Sequence, residues 1–164
     1  MRRRTIAVSL LLAWGLTACA GADQRGSPAH RLSVWAGGTG LGGSIGTLVA
    51  DNQRVPKDVP NGTGAVHAAC GTLEVDAEMA NQELPAPDPQ VTELLTAAYG
   101  LEGSAGVECY NAGSTDKKQL AKARRDMAGA DALFARVLAR IQTVDGQLVS
   151  TTTTTDNTPV GPFG

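Results

Sequence analysis

Aromatic side chains are scarce in this sequence, with two each of Trp, Tyr and Phe, while Gly alone occurs 20 times. The core must therefore be assembled from small and medium aliphatic side chains packed closely. Runs of alternating β-branched residues are also missing, which removes the pattern of a half-buried strand. Alanine, by contrast, is abundant, and it has the highest helix propensity and lets helix backbones approach. The expected fold class is all-α. Positive charge is not in excess either: 14 basic residues face 16 acidic ones. No basic patch of the kind nucleic acid demands is present, so nucleic acid is excluded as a partner.

Long hydrophobic runs are absent. The most apolar stretch, Ile6 to Leu16, lies just after Arg2, Arg3 and Arg4. At about eleven residues it is half of the roughly twenty needed to span a bilayer, and a positive n-region ahead of it gives the layout of a signal peptide. Small residues follow, then a cysteine. The order Leu16-Thr17-Ala18-Cys19 resembles the lipobox of bacterial prolipoproteins. That resemblance implies a diacylglycerol on the Cys19 sulfur, cleavage just before it, and usually a further acyl chain on its amino group. Each buried methylene contributes roughly 0.8 kcal/mol, and one chain alone anchors only marginally, whereas two or three hold. The implied place is the extracytoplasmic face of the cell membrane, with the lipid on Cys19 as the membrane partner.

Three cysteines is an odd number for an exported chain, and assigning Cys19 to lipid leaves the pair Cys70 and Cys109. An oxidising compartment lets that pair close as a structural disulfide. Loss of residues 1–18 also removes three of the fourteen basic residues and no acidic one, so eleven face sixteen and the balance falls to about −5. Polybasic attachment to the membrane surface is excluded by the same count.

The order along the chain is a signal peptide at 1–18, a tether at 19–42, a helical domain at 43–148 and a threonine-rich tail at 149–164. Residues 20–40 are rich in Gly, Ser and Pro without an apolar period, and read as a flexible tether. Trp35 within it is either exposed or docked on the bundle, docking being favoured. A weak first helix spans about 43–55, where Ile45, Leu48, Asn52 and Val55 fall at helical spacing, and Pro56 and Pro60 end it. The next helix starts from Asn61 or Thr63 as cap and carries the stripe Val66, Cys70, Leu73, Ala77, Ala80 and Leu84, with Glu74 and Glu78 on another face. Three prolines in 84–90 break it, and Asp88-Pro89 starts the following helix, about 89–112. Its expected inward residues are Val91, Leu95, Ala98, Leu101, Ala105 and Cys109, while Gly100, Gly103 and Gly106 bend it or permit close contact. The two cysteines then sit on facing stripes of antiparallel neighbours, with a register mismatch of roughly 7 Å at 1.5 Å per residue for a tilt or kink to absorb. The last helix, capped by Ser114 or Thr115, repeats in heptads through Leu120, Ala123, Met127, Ala130, Phe134, Val137, Ile141 and Val144, with Asp131 and Arg140 off the stripe and Gly146 closing it. Alanines in that seam favour an intramolecular bundle over a coiled-coil dimer. The threonine run after Leu148 has too little apolar surface to fold, with O-linked sugars as a further option.

Several motifs tempt without context. Gly38, Gly40 and Gly43 match G-x-G-x-x-G but lack the preceding strand and the βαβ unit. Asn61 heads an N-x-T sequon that a bacterial exported chain has no general use for. His67, Cys70 and Cys109 offer one imidazole and two thiols to zinc or copper, yet such sites want a fourth ligand and reduced thiols. With His30 and His67 the only histidines and no G-x-S-x-G elbow, no catalytic triad can be drawn, and no enzyme is expected. Glu74, Asp76, Glu78 and Glu83 read as solvated helix faces.

Cys70, the "LPAPDP" turn at 84–89, Cys109 and the long alanine-rich helix resemble a loose group of uncharacterised helical lipoproteins from actinobacteria. That likeness covers about two thirds of the chain and implies fold and address only. The expectation is a small antiparallel three- or four-helix bundle with one disulfide, serving as a non-catalytic interaction or structural module for an envelope partner. Its groove between helices, or the acidic face at Glu74 and Glu78, is the candidate contact surface. A small-ligand or metal-binding lipoprotein is the alternative; no cofactor is expected.

Overall fold

The computed structural model describes residues 26–153, from 145 onward as backbone only. The lipobox with Cys19, the start of the tether and most of the threonine tail lie outside the described residues. Five α-helices make up the described chain, α1 Pro28–Gly38, α2 Leu41–Asp58, α3 Thr63–Asn81, α4 Pro89–Ala112 and α5 Lys117–Thr153, with one 3₁₀ turn at Val59–Asn61. Among the described residues there is no strand, and the fold is an all-α bundle stapled by Cys70–Cys109. No described helix is long and apolar enough to cross a membrane.

The expected stripes form the core. Val66, Cys70, Leu73, Ala77 and Ala80 of α3 are buried against Val91, Leu95, Ala98, Ala105 and Cys109 of α4. The heptad residues of α5 from Leu120 to Val137 close the other side of α4, with Phe134 tilted against Tyr99 at 5.9 Å between ring centroids. The scarcity of aromatics is met by alanines and glycines that draw the helices together. At Gly106 an added Cβ would stand 2.9 Å from the backbone nitrogen of Glu74 and 3.0 Å from the carbonyl oxygen of Cys70, so α3 and α4 touch backbone to backbone.

Residues 28–42 are not a flexible tether. Ser27 caps α1 by accepting from the His30 N–H at 3.2 Å, Pro28 opens the helix, and Ala29 and Leu32 are buried. Trp35 is docked: its indole N–H donates to the Glu83 carbonyl at 3.3 Å, tying α1 to the connection after α3. Gly40, with φ +64°, makes the corner into α2, so the G-x-G-x-x-G glycines join two helices. Helix α2 also starts earlier and ends later than expected, with Pro56 inside its last turn, where the missing N–H removes a single bond.

Two capping expectations are corrected. Gly62 (φ +94°) precedes α3 and no side chain caps it; Asn61 instead donates to the Lys57 carbonyl and the Asp58 carboxylate. Thr63 is the first residue of α3, and its hydroxyl accepts from the Ser114 N–H at 3.3 Å, pinning the α4–α5 corner. Helix α5 is capped by Asp116 rather than Ser114 or Thr115, through the N–H groups of Lys118 and Gln119, both at 3.0 Å. A carboxylate directly before the helix, one residue nearer than Thr115 and two nearer than Ser114, out-competes the hydroxyls. Asp88 caps α4 as expected, accepting from the Val91 N–H at 3.0 Å. Gly146 does not close α5, which continues to Thr153.

Helix α3 ends at Asn81 and α4 starts at Pro89, so a seven-residue connection is available to take up the register mismatch. Helix α4 is continuous, and residues 82–88 run back along it, with Glu83 close enough to act on Tyr99 and Ala86 bonded through both its N–H and its carbonyl to the Thr92 hydroxyl. Seven connecting residues can cover about 23 Å. The Cα atoms of Cys70 and Cys109 end 5.8 Å apart.

Candidate functional site

Two features stand out against the packed bundle: an open groove on the outer side of α3 and α4, and a buried polar junction on the inner side of α4.

The groove, about 680 Å³, is lined by Glu74, Ala77, Glu78 and Asn81 of α3 and, along α4, by Thr96, Tyr99, Gly100, Gly103, Ser104, Val107 and Glu108. Its floor is low because α4 turns its smallest residues outward there. Nothing lies within 4 Å of a Cβ on Gly100 or Gly103, so these two glycines face open space while Gly106 serves the packing. Three carboxylates, Glu74, Glu78 and Glu108, line the groove. Only Glu108 has a cationic partner among the described residues, Lys122 of α5, which also bonds Asp126. The groove therefore brings together the expected interhelical cleft and the expected acidic residues Glu74 and Glu78. Asp76 and Glu83 face the other way, into a smaller cleft of about 210 Å³ toward α2.

The polar junction was not expected. Glu102 is completely buried, in the place that the pattern had given to Leu101. Asn52 of α2 reaches across with its side-chain N–H₂, donating to Glu102 Oε1 at 2.8 Å and to Asp131 Oδ1 on α5 at 3.0 Å. Burial pushes the Glu102 carboxyl up to about 8, with Asp131 and Asp51 adding to the rise against the Asn52 hydrogen bond. Asp51, also buried, is raised by its burial and by a carboxyl–carboxyl contact with Asp76 of α3, against a smaller pull from Arg54. Glu102 Oε2, Asn52 Oδ1 and Asp51 Oδ2 have no hydrogen-bond partner. The signal for Glu102 was present: Val91, Leu95, Ala98, Glu102, Ala105 and Cys109 keep a strict four-three alternation, which Leu101 breaks.

His67, Cys70 and Cys109 do not form a metal centre. The two sulfurs are bonded to each other, which leaves no thiolate for a metal, and His67 stacks on Tyr110 at 4.2 Å between centroids and 19° between planes. Among the described residues no group of three or more His, Cys, Asp or Glu side chains is arranged to hold a metal ion.

No family model, curated protein or solved structure matches the chain.

Proposed function

We propose that this chain is a lipid-anchored protein of the cell envelope, held at the extracytoplasmic face by Cys19, whose bundle is a non-catalytic module that docks a basic segment of an envelope protein in the α3–α4 groove. The observation that carries this reading is the groove itself: a floor of Gly100, Gly103 and Ser104 bordered by Glu74, Glu78 and Glu108. A floor of small residues admits a helix or extended segment close to the α4 backbone. Carboxylates along it favour lysine or arginine on the incoming chain and disfavour acidic partners. A second copy laid groove to groove would set carboxylates against carboxylates, so that pairing is disfavoured.

The test places a photo-crosslinking residue at Ser104 in the full chain in its native membrane, with exposed Ala132 of α5 as the control position. The reading expects a discrete adduct from Ser104 alone, lost when Glu74→Lys and Glu78→Lys are combined or when Gly103→Leu fills the floor. The same adducts from both positions, or adducts indifferent to these substitutions, would overturn it.

A further inference from the structure

The groove makes no use of the buried junction at Asn52, Glu102 and Asp131, where α2, α4 and α5 meet. There the Asn52 side-chain N–H₂ already serves two carboxyls, Glu102 Oε1 at 2.8 Å and Asp131 Oδ1 at 3.0 Å. What remains is the Asn52 side-chain carbonyl oxygen and Glu102 Oε2, each buried and each without a partner. With Glu102 ionised both are acceptors and nothing joins them. One proton on Oε2 turns that atom into a donor and completes the complement of an amide, a carboxylic acid whose carbonyl accepts from Nδ2 while its O–H serves Oδ1.

We propose that a single proton on Glu102 latches α2 to the bundle by closing this acid–amide pair with Asn52, and that loss of the proton releases α2. The groups facing the junction agree on the sign. From α2 come Asp51 and Asn52, with Arg54 acting on Asp51; from α3 comes Asp76, against Asp51; from α5 comes Asp131. The charges acting on Glu102 itself are those of Asp131 and Asp51, both negative, and burial opposes its ionisation more than either does. A buried carboxylate with no cation beside it is expelled toward water, and Asn52 of α2 is the group bonded to it. Asp51 of α2 is itself raised by its burial and then by Asp76 of α3, so the acidic groups around the junction all oppose ionisation.

Release of α2 uncovers Ile45, Leu48 and Val55, which are buried on its inner side. It leaves α3, α4 and the disulfide between them in place. The latch is therefore a pH-sensitive conformational device separate from the groove, and its failure would leave the docking reading untouched.

The test follows the full chain with ¹³C-labelled carboxyls by NMR from pH 5 to 9, together with hydrogen exchange of α2 amides corrected for intrinsic rates. The latch expects Glu102 to be protonated at pH 6.5, and α2 protection to fall by up to tenfold per pH unit as pH rises toward and through about 8, while α4 amides stay protected. Glu102→Gln, whose amide donates permanently from the same place, should hold α2 protection level over that range. Asp51→Asn should lower the Glu102 midpoint by removing a neighbouring negative charge. An ionised Glu102 at pH 6.5, or α2 protection that falls equally in wild type and Glu102→Gln, overturns the proposal. The wild-type titration decides alone if the Gln variant does not fold.

Discussion

Gly106 of α4 lies against Glu74 of α3 so closely that a Cβ on the glycine would stand 2.9 Å from the Glu74 nitrogen and 2.9 Å from its Cβ. One turn away, Cys70 and Cys109 join the same two helices. The groove depends on this contact, because the helix pair is fixed there while Gly100 and Gly103 leave the neighbouring surface low.

Gly106→Ala should lower stability by about 1–3 kcal/mol, since the clash is with backbone and cannot be relieved by a rotamer change. Gly100→Ala, facing open space in the same helix, should be neutral or stabilising by up to about 1 kcal/mol. Urea unfolding of the two variants beside wild type checks the contrast, and equal effects would contradict the backbone contact.

Asp88 carries two duties, capping α4 and bonding Arg140 of α5 through Nε at 3.2 Å and Nη2 at 2.8 Å. Burial works against its ionisation, but the Arg140 hydrogen bonds and the Val91 N–H outweigh it and hold its carboxyl below the ordinary aspartate value of 3.8. The unfolded chain thus takes up this proton first as pH falls. The stability Asp88 contributes is complete above about pH 5 and is lost as pH drops through its folded value. Asp88→Ala should cost about 0.5–2 kcal/mol for the cap at pH 7. The gap between wild type and Arg140→Ala should narrow in thermal melts as pH falls below the ordinary aspartate value, and a gap that widens on acidification would contradict the assignment.

Cys70 and Cys109 are 39 residues apart, and in the chain-entropy account a loop of that size stabilises by roughly 4 kcal/mol. Replacing both by alanine should lower the urea midpoint strongly while far-ultraviolet circular dichroism stays helical. A double variant as stable as wild type would show that packing at Gly106 suffices to hold α3 on α4.

Most of the core was legible because its periods are long and unbroken. The α3 stripe from Val66 to Ala80 and the α5 heptads from Leu120 to Val137 are buried where their spacing placed them, with Phe134 and Leu73 among the most enclosed side chains, while Leu84, beyond the end of α3, and Ile141 are only partly buried. Helix α1 was hidden by its length and by the glycines that end it, although Ser27-Pro28 followed by Ala29 and Leu32 carried the signal of a cap and an apolar face. Glu102 was hidden by chemistry rather than by pattern. Its position in the alternation was inward, but a glutamate is expelled from a core unless a partner receives it, and Asn52, the partner, lies fifty residues away. Asn52 itself stood on the α2 stripe from the start. Its amide made sense there only once Glu102 and Asp131 were seen beside it.

The groove was legible in part. Glu74 and Glu78 were marked as a contact surface on charge alone, but Glu108 and the low floor at Gly100 and Gly103 depend on how α4 is rotated, which the misplacement of Leu101 obscured.

The most direct measurement of the whole account is the intact mass of the chain isolated from its native membrane, beside Cys19→Ser, before and after reduction and alkylation. The account predicts a lipid mass on a chain cleaved before Cys19, absent from Cys19→Ser, with Cys70 and Cys109 alkylated only after reduction. An unlipidated chain retaining residues 1–18 would contradict the envelope anchor on which the proposed function rests.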